Sequence, residues 1–277
     1  LLAVWLILKL AGLLVAVVRF LNGDETAMSR YFDRHREKRG YEAAFLPVDL
    51  DGGIDLCDLQ AAIRPDTAIV SLMWANNETG VLFPVEELAA ICRSRGVLFH
   101  TDAIQVAGKL PIDVQSLGVD FLSLSAHKLR APKGIGLLYV KPGAPFQPYI
   151  IGGGQERGWR AGTENLAAIL GLAEAVERFV PHPPFLKNSI SPLALRLLAA
   201  VNSIPNAHLV GPPASSARLF NTVSFFVEGS DSIALLSGLD LEGICASSGS
   251  ACASGSVNPS HVLSAMGVSV ADANALV

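Results

Sequence analysis

No two of the four cysteines in this chain, Cys57, Cys92, Cys245 and Cys252, stand in a CxxC pair or a paired framework. That argues against a zinc site and a disulfide scaffold, so no metal is expected and a reducing, cytoplasmic compartment is. A basic cluster is missing too. The 21 Lys and Arg are scattered against 25 Asp and Glu, for a net charge of -4, which argues against a nucleic-acid partner. No internal repeat is present, which excludes solenoids and propellers. What the chain does have is apolar content: 51% of its 277 residues, enough to bury a sizeable core in one large domain or two unequal ones.

Residues 1 to 21, LLAVWLILKLAGLLVAVVRFL, have the length and apolarity of a membrane span, interrupted by Lys9 and Arg19. The alternatives are a buried helix out of its context or a mistranslated leader. A secretory signal is disfavoured, because no small-residue cleavage site follows.

From about residue 42, short apolar runs alternate with helical stretches: FLPVD, TAIVSLMW, PVEELAAICRSRG, VLFHTDA, VDFLSLSA and IGLLYV. This alternation predicts an α/β domain built on a mostly parallel sheet. In PVEELAAICRSRG, Pro84 opens the first turn, Glu86 and Glu87 follow, Arg93 and Arg95 close it, and Gly96 stops it. A second long helix is expected in TENLAAILGLAEAVERF, then a proline-rich connection around PHPPF, with a domain boundary near residue 185. Beyond it, a helix around LALRLLAAV, strands around TVSFFV and a Gly/Ser loop at ASSGSACASGS predict a smaller α+β domain. The division is therefore an apolar leader over 1–24, a large domain over 25–185 and a small domain over 186–277.

In parallel α/β sheets the ligand crevice lies beyond the carboxyl ends of the strands, so residues just after each apolar run are the candidates. After TAIVSLMW come Asn76, Asn77, Glu78 and Thr79. After VLFH come Thr101, Asp102 and Gln105, and after FLSL come Ser125, His127 and Lys128. An acid, an amine, amides, a hydroxyl and an imidazole at one rim would suit a Lys-linked aldehyde cofactor. Each residue also has a plain reading: Asp102 as a helix N-cap, His127 as a satisfied core histidine, Lys128 or Lys133 as a solvated charge. Cys252 has a plain reading too, as a buried small hydrophobe, but it sits among Ser247, Ser248, Gly249, Ser250, Ala253, Ser254 and Gly255, which offer little to pack, so it is expected to be accessible as a nucleophile. Cys245, inside an apolar run, is expected to be packed.

Five ordered motifs, MWANNETG, FHTDAIQVAGKLPID, SLSAHKLRAPKGIGLLYV, GGGQERGWRAGTEN and SSGSACASGS, resemble those of the cysteine desulfurases of the NifS and IscS type. These belong to the class V aminotransferase family of pyridoxal-phosphate (PLP) enzymes, with fold type I. The resemblance runs from about residue 40 to the end and weakens between 180 and 215. It implies that Lys128 is the covalent anchor of PLP, that His127 and Ser125 lie at the cofactor, and that Asp102 pairs with its ring nitrogen. It implies further that Gln105 and Asn77 bond its ring oxygen and that Lys133 is structural. Thr163 resembles the residue that reaches the phosphate across a dimer interface, which implies a homodimer. The implied reaction converts L-cysteine to L-alanine, with Lys128 as base and Cys252 carrying the sulfur as a persulfide. An iron-sulfur scaffold or another acceptor protein then takes that sulfur.

The sequence departs from the family at two places. Counting back without gaps from GYEAAFLPVD, the family's Glu-His-Pro stretch falls on Glu25, Thr26 and Ala27, and Thr26 cannot stack on a cofactor ring. A Gly-Thr phosphate loop ahead of it has no counterpart. The sequence given ends at Val277, before the family's substrate-carboxylate Arg. Two functional classes are therefore expected: an active desulfurase, or a remnant that binds cofactor or a partner without turnover. A selenocysteine lyase is a weaker enzyme alternative, and Cys252 disfavours an aminotransferase.

Overall fold

The computed structural model describes residues 44–183, 187–212, 218–249 and 260–277. Strands β1 (Ile69–Met73), β2 (Leu98–Asp102), β3 (Phe121–Ser125) and β4 (Gly136–Val140) form one sheet in that order. The first three run parallel and β4 returns antiparallel to β3. Residues 126–135 explain the reversal: a link that short cannot make the crossover a parallel neighbour needs. A second sheet pairs β5 (Ala207–Val210) with β6 (Ser224–Val227), antiparallel. FLPVD, expected as a strand, carries a single-residue bridge at Phe45 and no strand. Pro47 in its middle cannot donate to a ladder.

The helices are α1 (Leu56–Ala62), α2 (Val85–Ser94), α3 (Val114–Leu117), α4 (Leu166–Phe179), α5 (Lys187–Asn202), α6 (Ser232–Leu241), α7 (His261–Ala265) and α8 (Val270–Ala273). α2 ends as its sequence predicts. Gly96 takes φ +69°, its N–H donates to Arg93 O, and the Val97 N–H donates to Cys92 O. These two bonds close the last carbonyls and turn the chain straight into β2. α2 buries Val85, Leu88, Ala89 and Cys92 and packs on β2. α4 begins at Asn165, whose Oδ1 accepts the Ala168 N–H, and it packs against the 3-10 helix Ala126–Leu129.

One buried cluster runs from Val70, Phe99 and Leu122 in the first sheet through Val81 to Val210, Leu219, Val262 and Leu263. The two sheets meet at the turn 76–80. There the Leu219 N–H donates to Gly80 O, and the buried Arg218 guanidinium donates to the carbonyls of Thr79 at 3.1 Å, Val210 at 3.2 Å and Pro212 at 2.9 Å. Among the described residues no helix is long and apolar enough to cross a membrane. The apolar run 1–21 and Thr26 lie outside the described residues.

Candidate active site at the carboxyl edge of the parallel strands

Register places Met73, Asp102 and Ser123 in one row across β1, β2 and β3, and Ser71 and His100 one row deeper. Side chains alternate along a strand, so Ser71, His100, Asp102, Ser123 and Ser125 share one face. The same alternation corrects the expectation for Thr101. It sits on the opposite face of β2 from Asp102, fully buried, its Oγ1 without a partner. It is core, not rim.

Asp102 ends β2. Its Oδ1 accepts the Ile104 N–H at 2.8 Å, which starts the turn 104–109, so the carboxylate nucleates a turn rather than capping a helix. Burial raises its pKa, and the Ile104 hydrogen bond opposes that only incompletely. Among the described residues no group pairs with Oδ2. A desolvated carboxylate with one open oxygen is a place for a cation.

β3 runs directly into the 3-10 helix Ala126–Leu129. Ala126 and Leu129 are buried while His127 and Lys128 are exposed, so this single turn drives its apolar residues inward and displays the imidazole and the amine at the rim. The core-histidine reading of His127 is therefore incorrect. Its Nδ1 lies 2.7 Å from Ser125 Oγ. Lys133 is also exposed, in the turn before β4.

The turn 104–109 packs on this helix. Gly108 has φ +74°, and a Cβ there would come within 2.8 Å of a Leu129 methyl. Glycine suits the left-handed backbone there, and any side chain would have to displace that methyl. Next to it, the Lys109 ammonium donates to Gln105 Oε1 at 3.2 Å. Burial first, and the nearby Lys128 charge second, lower the Lys109 pKa to about 8.

The turn 76–80 borders the same rim. Asn76 is buried, and its Oδ1 accepts the N–H groups of Glu78 at 2.8 Å and Thr79 at 2.9 Å. Its role is to hold the turn, which leaves the partly exposed Asn77 as the amide displayed there. Glu78 points the other way. Its side chain is 2% exposed, Oε2 accepts the Ser260 hydroxyl at 2.6 Å, and Oε1 is 4.0 Å from His261 Nε2.

Thr163 is exposed on the approach to α4, with Ile151, Leu166 and Leu170 exposed in the same stretch. Cys252 lies outside the described residues. Cys245, expected to be packed, is exposed. Its apolar run is neither strand nor covered helix: Leu241 is 88% exposed at the end of α6, and Cys245 follows in an irregular segment.

Sequence reasoning missed Lys109, the packing role of Glu78, and His100. His100 is fully buried, with Nδ1 2.7 Å from Ser71 Oγ and Nε2 3.2 Å from Ser123 Oγ. Burial lowers its pKa to about 3, so it is neutral, donating through one nitrogen and accepting at the other. A signal for Lys109 was present: it stands four residues after Gln105, one helical turn away.

The donor set fits PLP. The open Asp102 oxygen suits a protonated ring nitrogen. The Lys128 amine suits an aldehyde, and the Ser125 hydroxyl with the His127 ring suits the ring face and phosphate side of such a group.

The family model for class-V aminotransferases matches residues 25–275. Cysteine desulfurase 2 of Trichormus variabilis is 47% identical over 235 residues, which is 84% of this chain and 58% of that protein. Cysteine desulfurase NifS of Azotobacter vinelandii is 46% identical over 230 residues, 83% of this chain and 57% of that one. The chain thus spans under two thirds of the length of these relatives. The solved NifS-like protein from Rickettsia africae superposes with a TM-score of 0.79 at 31% identity, covering 98% of this chain and 71% of that one.

Proposed function

The chain belongs to the class-V aminotransferase family, with the PLP-dependent type I fold, and on that premise we propose that it acts as a cysteine desulfurase. The observation that carries the reading is the desolvated Asp102 carboxylate, one oxygen open, at the same strand edge that displays Lys128. The names of the relatives support cysteine as substrate. We place the boundary of the large and small domains near residue 185.

Bound at this edge, PLP would supply an electron sink for the substrate's α-carbon. Asp102 would hold the ring nitrogen protonated, Gln105 and Asn77 would bond the ring oxygen, and Ser125 and His127 would border the ring and phosphate. Lys128 would anchor the cofactor and, with its amine free, would accept the α-proton at Nζ. The Cys252 thiolate then attacks the substrate sulfur. A new S–S bond would form as the substrate's Cβ–S bond breaks; the bonding pair would pass to Cβ, which takes up a proton, the α-carbon would regain one, and alanine would leave while Cys252 keeps the persulfide. An iron-sulfur scaffold or other acceptor protein in the cytoplasm would take up that sulfur.

The exposed Ile151, Leu166 and Leu170 beside Thr163 support a homodimer in which Thr163 reaches the partner's phosphate site. The second reading, cofactor binding without turnover, is favoured by Thr26 at the position of the stacking imidazole.

The test is to load the chain with PLP and follow alanine and sulfide formed from L-cysteine. Visible absorbance should vanish in Lys128→Ala and persist in Lys133→Ala. Turnover should require Cys252 and not Cys57, Cys92 or Cys245. Absorbance that survives Lys128→Ala refutes the lysine assignment. Activity that survives Cys252→Ser refutes the persulfide route. Cofactor binding with no turnover selects the second reading.

A further inference from the structure

Lys109 plays no role in the reaction as described, yet it is a partly buried ammonium held beside the helix that carries Lys128. Most lysines extend into water, and burying one without purpose is costly. Two features bring it there. The turn 104–109 curls back after Asp102, which sets Gln105 and Lys109 one turn apart with their side chains bonded at 3.2 Å. Gly108, at φ +74° with no room for a Cβ against Leu129, lets that turn lie flush on the helix bearing Lys128.

The chemistry of this contact has a direction. An ammonium carries three donors and no acceptor, so the amide atom it meets must be oxygen. With Oε1 engaged, the NH₂ on the other branch of the planar amide is the end of Gln105 left to donate elsewhere. A free glutamine could flip and offer either end at nearly equal cost. A ring oxygen bearing negative charge needs the donor end.

We propose that Lys109 is a positioning residue that fixes the amide polarity of Gln105, so that its NH₂ faces the ring oxygen of the cofactor. This rests on the PLP reading above, and the experiment separates the two.

The experiment titrates the cofactor-stripped chain with pyridoxal 5'-phosphate by absorbance and fluorescence, as wild type, Lys109→Met, Gln105→Ala and the double variant. Lys109→Met should weaken binding about tenfold and shift the absorbance maximum, and the loss should disappear in the Gln105→Ala background. Gln105→Glu, which pairs with Lys109 but has no N–H to offer, should bind as weakly as Gln105→Ala. Without cofactor, the Gln105 side-chain amide signals in a glutamine-labelled NMR spectrum should move on Lys109→Met.

Wild type that binds no PLP overturns the cofactor reading and this role with it. Wild type that binds, with Lys109→Met equally tight, or equally weakened with and without Gln105, overturns the positioning role alone. Gln105→Glu at wild-type affinity overturns the placement of Gln105 at the ring oxygen and the positioning role with it. Should Lys109→Met fail to fold, the Gln105→Glu result decides, since it keeps the lysine in place.

Discussion

Two carboxylates border the same rim and have opposite surroundings. Glu78 is withdrawn into the junction between the sheets, and Ser260 and His261 from the far end of the chain close around it. Asp102, at the end of β2, keeps one oxygen bonded to its own turn and leaves the other without a partner among the described residues. The first is satisfied by the protein and holds it together. The second has one oxygen that no described residue satisfies, which is what a group reserved for a ligand looks like, and the fold bears its desolvation in the meantime.

Removing the satisfied carboxylate should have the larger effect on folding. Glu78→Ala strips Ser260 Oγ of its acceptor in a partly buried setting and should lower unfolding stability by about 2 to 4 kcal/mol in urea melts. Loss of less than about 1 kcal/mol would mean that the junction does not depend on this contact.

A second effect of comparable kind comes from His100, which lies one row below Asp102. Its folded pKa of about 3 is below the unfolded value of 6.5, so between these values the unfolded chain binds more protons. Its contribution is thus fully present above about pH 6.5 and is lost as pH falls toward 3, with a slope of about 1.4 kcal/mol per pH unit from this group. Unfolding free energies measured from pH 7 to 4 on wild type and His100→Asn check this: the variant should have the shallower slope.

Asp102→Asn should act in the opposite sense from Glu78→Ala. The Asp102 pKa is raised in the folded state, so the folded chain binds more protons and loses stability as pH rises from 3.8 through the raised value. Removing the charge in the cofactor-free chain should leave stability at pH 7 unchanged or raise it by up to about 1 kcal/mol. PLP affinity should fall in the same variant. Cofactor-free Asp102→Asn melting well below wild type would make Asp102 a structural residue after all.

The smallest effect expected is at Cys245. Being exposed, Cys245→Ser should change stability by no more than about 0.5 kcal/mol. Cys245 and Cys57 should react with iodoacetamide in the folded protein, while Cys92, whose pKa burial pushes up to about 12, should not.

The features legible in the sequence are those whose cause is local. The stop of α2 at Gly96 is decided by a few neighbouring residues, within reach of a reading along the chain, whereas α4, expected from Thr163, starts only after its cap at Asn165. Lys128 could be placed at the rim because a strand that ends in a polar run must end somewhere accessible. What could not be read depends on contacts made across the chain. Glu78 looks like one more rim residue in sequence, because its partner Ser260 is 182 positions away. Cys245 looks packed because an apolar run says nothing about whether another element covers it. Thr101 looks available because a sequence does not reveal in which residue the strand's pleat ends. Lys109 was within reach of a periodicity argument, but its direction of hydrogen bonding needed coordinates.

The Ser71–His100–Ser123 chain joins β1, β2 and β3 through side chains on the face below the site. Backbone ladders alone let neighbouring strands separate singly, whereas a ring bonded at both nitrogens cannot release one flank without stranding a buried polar atom. The three strands should therefore exchange their amide protons for deuterium together, as one late-opening unit, while α6, with no buried residue, exchanges early. In that order of labelling, the platform on which Asp102 and Lys128 are mounted is the last region of the molecule to yield to solvent.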